Sequence, residues 1–458
     1  MVPALLAMTL LLGATGPADA DPAALVAQLG APKFADREAA TLRLEALGGA
    51  ALPALRAAVA ARDPEVRARA LALRDRIEST LIVRPTLVTL DFRDRPTAEV
   101  VAAVGKRAGM PLSFEPRRRF FAQSRRITLE AAEPVPFWSA VDRLSRVGRL
   151  QYSAGPVASV DGGPAVPSLV FVEGNGRPAP TSDSGPFRVK LTSVHLSRDL
   201  NFEAPDGPPV PDLAPADERE ADAPAVIEQF HVQLQVLGEP RLMLAQTGPA
   251  RLIEAVDDLG QSLKPPQGAE APELPVGFAP RGRLGGIEVE DDDEPNFAPG
   301  EQVQFQVELN RPPHPGKAIG RLRGVVPLAV AGRRPDPLTI RLADATGRQV
   351  RNGEFAVTIH AVRVDADGTQ IELTFRPERA GGGPGVAAAI MGRLEVVDAK
   401  GRILPWGAFN ADVQGDAARL GLQVTPAPDQ GSPALLRVYG LVRAPAEVPF
   451  EFRDIRMP

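Results

Sequence analysis

The apolar residues of this chain change their spacing along its length, and that change limits the folds open to it. Between residues 22 and 80 they recur at helical spacing, and between 86 and 153 short alternating runs flank helical ones. From residue 187 onward alternation dominates, which is typical of β-strands. The clearest predicted strands are 187–191, 231–236, 303–309, 355–360 and 370–375. A chain of 458 residues is also longer than a single hydrophobic core ordinarily serves. We therefore predict a multidomain protein with a short α-helical segment, an α+β domain and an all-β, sandwich-type C-terminal region.

The first helical stretch divides into short pieces that we expect to stack as antiparallel pairs. Asp36 is the predicted N-cap of the second piece, and Asp63, followed by Pro64, is the predicted N-cap of the fourth. Residues 50–55 (AALPAL) and 63–70 (DPEVRARA) resemble HEAT-like repeats. That resemblance implies a partner-binding helical module, although about two helix pairs are fewer than a free-standing solenoid usually needs.

The second region repeats a strand, a helix and a strand over about 30 residues, which predicts two successive β-α-β units. One unit has the helix start Asp94-Arg95-Pro96 and a helix-ending Gly109, and the other has residues 132–138 (AEPVPFW) and Gly148. This repeat resembles the small N-terminal domains of secretins and TonB-dependent receptors. The resemblance implies an envelope or export-complex role, but no pore-forming secretin part follows it, which argues against a channel.

The N-terminus predicts export. An apolar run from Val2 to Ala14 precedes Ala18-Asp19-Ala20, so we expect signal-peptide cleavage between Ala20 and Asp21. A short buried helix remains the alternative, because the run is preceded by no Lys or Arg. No later segment reaches about 18 apolar residues, so we expect no transmembrane segment after the signal peptide. The expected location is the periplasm or the cell surface and exterior.

These features predict the following organisation of the chain. The last two ranges are either separate sandwiches or one domain, a choice that the sequence leaves open. The ranges are 1–20 (signal peptide), 21–82 (HEAT-like helices), 83–174 (secretin-N-like α+β domain), 175–186 (linker), 187–300 and 301–458 (β-sandwich-type regions).

A turn motif recurs three times in the β region. Asp257, Asp344 and Asp398 each begin the pattern Asp-x-x-Gly-[Gln/Arg]-x-apolar after a strand-like run. Asp can accept hydrogen bonds from the turn amides, and Gly at the fourth position supplies a positive φ. Recurrent turn chemistry explains the pattern, and so does descent of two or three related sandwich modules.

The search for reaction chemistry predicts no catalytic residue, no cofactor and no metal ligand. The chain has no Cys, which excludes disulfides, thiol catalysis and Cys-based metal sites. The histidines His195, His231, His314 and His360 have no metal-ligand spacing, and three of them lie in strand-like runs. The segment 365–369 (DADGT) is expected to be a hairpin turn rather than a calcium loop.

Two other charged or aromatic features have alternative interpretations. Arg117, Arg118, Arg119, Arg125 and Arg126 could bind an anionic envelope partner or form a solvated basic loop. The acidic run 288–294 is expected to be solvated. An exposed Trp406 would favour carbohydrate binding, since sugars pack on aromatic platforms.

The sequence thus predicts a non-catalytic interaction or scaffold protein of the bacterial envelope, with envelope proteins as partners and no nucleic acid. Two alternatives remain from other classes. One is an accessory subunit of an export or secretin-type complex. The other is a carbohydrate-binding protein or hydrolase with a carboxylate site in the β region.

Overall fold

The structure is a computed structural model that describes most of the chain. The chain folds into two parts. The division lies between Arg84 and Pro85 and gives two compact units. The described residues are 21–110, 112–115, 125–157, 166–174, 179–201, 225–265, 298–299, 302–365, 368–377, 390–414 and 417–458.

The first unit is helical over its described residues. Its helices are α1 (Pro22–Gln28), α2 (Phe34–Leu47), α3 (Leu52–Ala58) and α4 (Pro64–Ile82). Leu29, Leu44 and Leu55 are fully buried in a core to which each of these helices contributes. Burial of such leucines, at about 2 kcal/mol each, stabilises short helices that would not persist alone.

The helix starts test the predicted caps. Asp63 is the N-cap of α4, and its carboxylate accepts hydrogen bonds from the amides of Glu65 and Val66. The prediction for Asp36 is wrong, because α2 begins two residues earlier at Phe34 and its N-cap is Lys33. Asp36 lies in the first helical turn instead, where an acidic side chain is favoured by the helix dipole.

The second unit begins with an α+β module that contains the two predicted strand-helix-strand repeats. The strands β2 and β4 pair antiparallel, as do β1 and β5, and β7 pairs with both β3 and β6. The elements are β1 (Leu87–Val88), β2 (Asp91–Pro96), α5 (Thr97–Ala108), β3 (Leu112–Glu115), β4 (Arg126–Glu130), β5 (Val135–Pro136), α6 (Phe137–Gly148), β6 (Leu150–Val157) and β7 (Val166–Glu173).

The two helices of this module end differently. Gly109 follows the end of α5, as the sequence predicted, and it adopts the left-handed conformation. After α6 the left-handed residue is Arg149, and Gly148 is the last helical residue. A side chain at Gly148 would collide with Leu150 at 2.8 Å, so this glycine is required for close packing rather than for a positive φ.

The β region begins with a pair of sheets that we call the first sandwich. One sheet has the order β14-β10-β9-β8, and in the other β15 pairs with β11 and β12 on one edge and with β25 on the other. The strands are β8 (Thr181–Ser184), β9 (Phe187–Asn201), β10 (Ala225–Gly238), β11 (Leu242–Gln246), β12 (Arg251–Asp257), β13 (Ala298–Pro299), β14 (Val303–Leu309), β15 (Ala318–Arg333) and β25 (Leu441–Arg456).

The second sandwich lies in the chain between β15 and β25. Its sheets have the orders β16-β24-β20-β21 and β17-β18-β19-β23-β22, and one buried apolar core includes residues of both. The strands are β16 (Leu338–Arg341), β17 (Gln349–Arg351), β18 (Phe355–Asp365), β19 (Gly368–Pro377), β20 (Leu394–Asp398), β21 (Ile403–Leu404), β22 (Trp406–Gln414), β23 (Ala417–Val424) and β24 (Pro433–Val438).

The two sandwiches share one pairing plan. In the first, β14, β10, β9 and β8 are neighbours in the order in which β23, β19, β18 and β17 are neighbours in the second. Both plans place a β-bulge at the same point, because Thr192 is the extra residue opposite β10 and His360 is the extra residue opposite β19. In the other sheets, β12 and β15 correspond to β20 and β24.

Two of the three Asp-x-x-Gly turns are also equivalent. Asp257 accepts hydrogen bonds from the amides of residues 259, 261 and 316, and Asp398 accepts them from the amides of 400, 402 and 431. Asp344 is exposed and pairs with the side chain of Arg348, so its turn is of another kind. Together with the pairing plan, the two matching turns favour related modules over recurrent turn chemistry.

The predicted strands, linker and domain boundary can be compared with the observed elements. The strongest predicted strands lie within β9, β10, β14, β18 and β19, and residues 365 and 368 pair as the predicted hairpin. The predicted linker 175–186 contains β8, which pairs with β9, so its second half belongs to the sheet. The predicted boundary at residue 300 is followed by β14, which pairs with β10 from before it. Within the described residues, no helix is both long and apolar enough to cross a membrane.

Candidate functional site

The outward side of one sheet of the first sandwich is polar. Along β14 the side chains alternate between buried apolar and more exposed polar residues, and the register places matching polar residues on β9 and β10. We call this surface the polar face. It consists of Ser193, His195, Ser197, Gln229, His231, Gln233, Gln304, Gln306 and Glu308.

Two histidines stack at the centre of the polar face. His195 and His231 are cross-strand partners whose ring centroids are 5.0 Å apart, with an interplanar angle of 22°. Ser193 Oγ lies 2.7 Å from His195 Nε2, and Glu308 is the cross-strand partner of His231 on the other side. His195 and His231 are 36 positions apart in sequence, and His231 and Glu308 are 77 apart. Only the sheet register brings the three residues together.

The surroundings of His231 lower the pKa of its imidazole. Burial lowers its pKa, Glu308 raises it and His195 lowers it again, and the net result lies below the usual histidine value. Its Nδ1 atom is buried and has no hydrogen-bond partner among the described residues. Because an unmet buried polar atom costs about 1–3 kcal/mol, such a group is an unusual feature of a folded chain.

Amide side chains form a ladder beside the histidines. Gln233 Nε2 donates to Gln306 Oε1 at 3.1 Å, and Gln306 Nε2 donates to Glu308 Oε1 at 2.6 Å. Gln235, one pair farther along β10, is hydrogen-bonded to Gln302. Each amide both donates and accepts hydrogen bonds, so the ladder leaves further donors and acceptors at the surface.

The α+β module packs against one end of the outward side of this sheet. A buried arginine lies at that contact. Arg188 of β9 is 1% exposed, and its guanidinium donates to both carboxylate oxygens of Asp142 at 2.6 and 2.7 Å. It also donates to both oxygens of Asp183 at 2.6 Å and to Tyr152 Oη at 2.7 Å. The guanidinium lies 4.8 Å from the Trp138 ring centroid. We call this group the arginine latch.

The positive charge of Arg188 is paired with the carboxylates of Asp142 and Asp183 within the arginine latch. Burial alone would lower the pKa of Arg188, but the hydrogen bonds to Asp183 and Asp142 outweigh burial and raise it. The bidentate geometry to two carboxylates suits the planar guanidinium and cannot be reproduced by lysine. The latch therefore fixes α6 of the α+β module against the first sandwich.

Further contacts reinforce this junction. Glu239 is fully buried and accepts hydrogen bonds from the amide and hydroxyl of Thr86 at 2.8 and 2.7 Å and from Arg241 at 2.8 Å. Trp138 Nε1 donates to the carbonyl of Pro186 at 3.0 Å, and Leu237 of β10 belongs to the core of the α+β module. The two parts thus share a core as well as polar contacts.

Lys190 lies between the arginine latch and the polar face. Its Nζ atom is 4.1 Å from the Tyr152 ring centroid, and its cross-strand partner is Gln235. Burial and the nearby Arg188 charge lower its pKa to about 8, although Asp142 acts in the opposite direction. Among the described residues, no carboxylate lies within ion-pair distance of this ammonium group.

The predicted anionic-partner residues are only partly described. Arg117, Arg118 and Arg119 lie outside the described residues, as do Ala20 and the acidic run 288–294. Arg125 donates a long hydrogen bond to the carbonyl of Val147, and Arg126 forms an ion pair with Asp94 at 2.9 Å. Asp21 is the N-cap of α1.

The remaining predicted features lie apart from the polar face. Trp406 is 3% exposed in the core of the second sandwich, so it offers no exposed aromatic platform for a sugar. His360 contacts Thr374 Oγ1 at 2.7 Å on the second sandwich, and His314 lies in the loop before β15. Within the described ranges, no group of three or more His, Asp or Glu side chains is placed to hold a metal ion.

Comparison with known proteins gives no assignment for this chain. No protein-family model, no curated protein and no solved structure matches it.

Proposed function

We propose that this chain is an exported, non-catalytic interaction or scaffold protein of the bacterial envelope. The observation that carries the proposal is the arginine latch, which holds the α+β module and the first sandwich in one fixed arrangement. A scaffold requires such fixed geometry, because partners bound to separate modules must keep a constant spacing.

The proposal assigns partner binding to the N-terminal parts. The helices of residues 21–82, which resemble HEAT-like repeats, and the α+β module of 83–174, which resembles secretin N-terminal domains, are the candidate docking modules. Helix α2 supports this assignment, since Phe34 and Leu42 are large apolar side chains that remain exposed on it. The sandwiches serve as structural or adhesive modules.

A second candidate is an accessory subunit of an export or secretin-type complex. Support comes from the strand-helix-strand repeat of β2-α5-β3 and β4-α6-β6, which follows the order expected from the secretin-like sequence pattern. The carbohydrate or hydrolase alternative loses the support that an exposed Trp406 would have given it.

Affinity purification from fractionated native cells tests the scaffold proposal. The tagged chain from Asp21 onward is compared with a chain that lacks residues 21–84, because the division at Arg84 leaves the second unit whole. We expect an envelope complex with the longer chain. Its loss with the shorter chain assigns docking to the helices of 21–82, and its retention assigns docking to the α+β module. Recovery of an outer-membrane export complex would instead select the second candidate, and recovery of no partner in either case would overturn both.

A further inference from the structure

The shared plan of the two sandwiches allows their outward faces to be compared position by position. Around the common bulge, His195 and His231 correspond to Arg363 and Gln370 of the second sandwich. By the same register, Gln233 corresponds to Glu372. At these positions the two faces differ in their side chains on matching strands. The sheet of the second sandwich also has a fifth strand, β22, beside β23.

The face of the second sandwich satisfies its own polar groups. Glu372 lies between Arg363 and Arg419, with N–O distances of 3.3 Å to each. Next to this trio, the ring of Phe409 lies over Gly421 and fills the space that a side chain would take. This face therefore presents paired opposite charges and an aromatic ring, and few neutral groups that both donate and accept hydrogen bonds.

The polar face of the first sandwich has the opposite character. Its amides, hydroxyls and imidazoles each donate and accept hydrogen bonds, and Glu308 is the only carboxylate in the face as defined above. Sugar hydroxyls also donate and accept, so rows of such side chains match a polyhydroxylated chain better than they match an apolar or a strongly charged partner.

Lys190 adds a charge preference at the edge of the polar face. The face is continuous with the arginine latch, so Tyr152 and Lys190 form its boundary at that end. The Lys190 ammonium has an aromatic neighbour but no ion-pair partner among the described residues, and a ligand carboxylate would supply that partner. We propose that the polar face binds a glycan that carries carboxylate groups.

Binding of defined polymers to the chain from Asp21 onward tests this proposal. Calorimetry compares polygalacturonate with the same polymer after carboxyl reduction, and sedimentation with purified peptidoglycan tests a cell-wall source. We expect polygalacturonate or peptidoglycan to bind. A preference for one of them identifies the source, and binding of neither overturns the proposal.

Variants locate the site. The double variant Gln233→Ala/Gln306→Ala should weaken binding about 10- to 30-fold, since two hydrogen bonds of about 1 kcal/mol each are lost. Lys190→Gln should weaken binding of the acidic polymer and not of the reduced one. The matched control is Gln370→Ala, at the position that corresponds to His231, and it should bind as the wild type does. Equal affinity of all variants would overturn the proposal.

Hydrogen exchange of the unsubstituted chain provides a measurement that does not depend on variant folding. Ligand should slow exchange in β10 and β14 and leave β19 and β23 unchanged. Protection confined to the second sandwich, or to the first unit, would contradict the proposed site.

Discussion

The two sandwiches share the pairing of four strands in one sheet and of two strands in the other, but they obtain their remaining strands differently. The second contains all of its described strands within Leu338–Val438, with β16 pairing against β24. In the first, the position beside β15 that corresponds to β16 is filled by β25, which follows the whole second sandwich in sequence. The first sandwich is therefore completed by a distant strand and is also attached to the α+β module, whereas the second is continuous in sequence.

The comparison separates the features that both sandwiches share from those that only one of them has. The bulge and the Asp turn occur in both copies, so they belong to the plan. The arginine latch and the polar face occur in the first copy only, at positions where the second has Ala356 and the Glu372 ion pairs. The arginine latch and the polar face are therefore the parts to which we assign the proposed functions.

The largest expected effect comes from deletion of residues 441–458. The first sandwich then loses the strand that pairs with β15 along its full length, and the second keeps every strand of its own sheets. We expect rapid hydrogen exchange in β12 and β15 with retained protection in β18 and β19. Equal loss of protection in both sandwiches would show that they do not fold separately.

Arg188→Ala should cost about 3 kcal/mol of unfolding free energy, because it leaves Asp142 and Asp183 without their shared partner. The change installs the residue type of the corresponding position 356. Denaturant unfolding monitored by tryptophan fluorescence measures it, since Trp138, one of the two tryptophans of the chain, lies over the guanidinium. Arg188→Lys, which keeps the charge without the bidentate geometry, is the control and should also destabilise. A wild-type midpoint for both variants would mean that the latch is not stabilising.

The buried turn carboxylates should be equivalent in the two copies. Asp257→Asn and Asp398→Asn should each destabilise by about 1–3 kcal/mol, since the amide NH2 group would face backbone donors. Exchange rates in each sandwich should show that each substitution acts on its own copy. Asp344→Asn, at the exposed third turn, should change stability by less than about 0.5 kcal/mol. Destabilisation by Asp344→Asn equal to the other two would restore the interpretation of three equivalent turns.

Acid should act through the same two carboxylates. Burial would raise the pKa of Asp398, but hydrogen bonds from the Arg402 amide and side chain and the Gly431 amide lower it to about 2. A carboxyl with a depressed folded-state pKa stabilises above its unfolded value of 3.8 and loses this contribution as pH falls to about 2. The pKa of Asp257 is also lowered, with the same sign.

Unfolding midpoints measured between pH 5 and pH 2 check this dependence. Asp398→Asn should flatten the pH profile of the second sandwich and leave that of the first unchanged. An unchanged profile in the variant would assign acid sensitivity to other carboxylates.

The smallest expected effect concerns the face of the second sandwich. Glu372→Gln removes ion pairs to the exposed Arg363 and Arg419, which should cost about 0.5 kcal/mol and less at high salt. Thermal unfolding at low and high salt measures the difference. A loss of 2 kcal/mol or more would mean that this face is structural in the way that the arginine latch is.

Local patterns in the sequence predicted the elements but not their partners. Alternation located β9, β10, β14, β18 and β19, and Asp-Pro located the start of α4, because both signals are contained in a few neighbouring residues. Asp36 was wrongly expected to cap α2, since an acidic residue in the first helical turn has the same local signature as a cap.

The candidate site depends on register, which the sequence does not contain. His195 and His231 were each interpreted as ordinary strand residues, and only the pairing of β9 with β10 stacks them. The polar alternation of 303–309 was visible, but which strands would join it was not. Arg188 contacts residues 46 and 36 positions away in another module, so its burial has no local signal.

The route of the chain through the two sandwiches also sets an order of events. Because the chain is synthesised from its N-terminus onward, β15 is available long before β25. The entire second sandwich lies between them in sequence. The second sandwich can close while one edge of β15 remains unpaired, and an open strand edge is a site for association with other chains. The last strand therefore acts as the closing piece of the first sandwich, and slow arrival of that strand would favour intermolecular pairing during biogenesis.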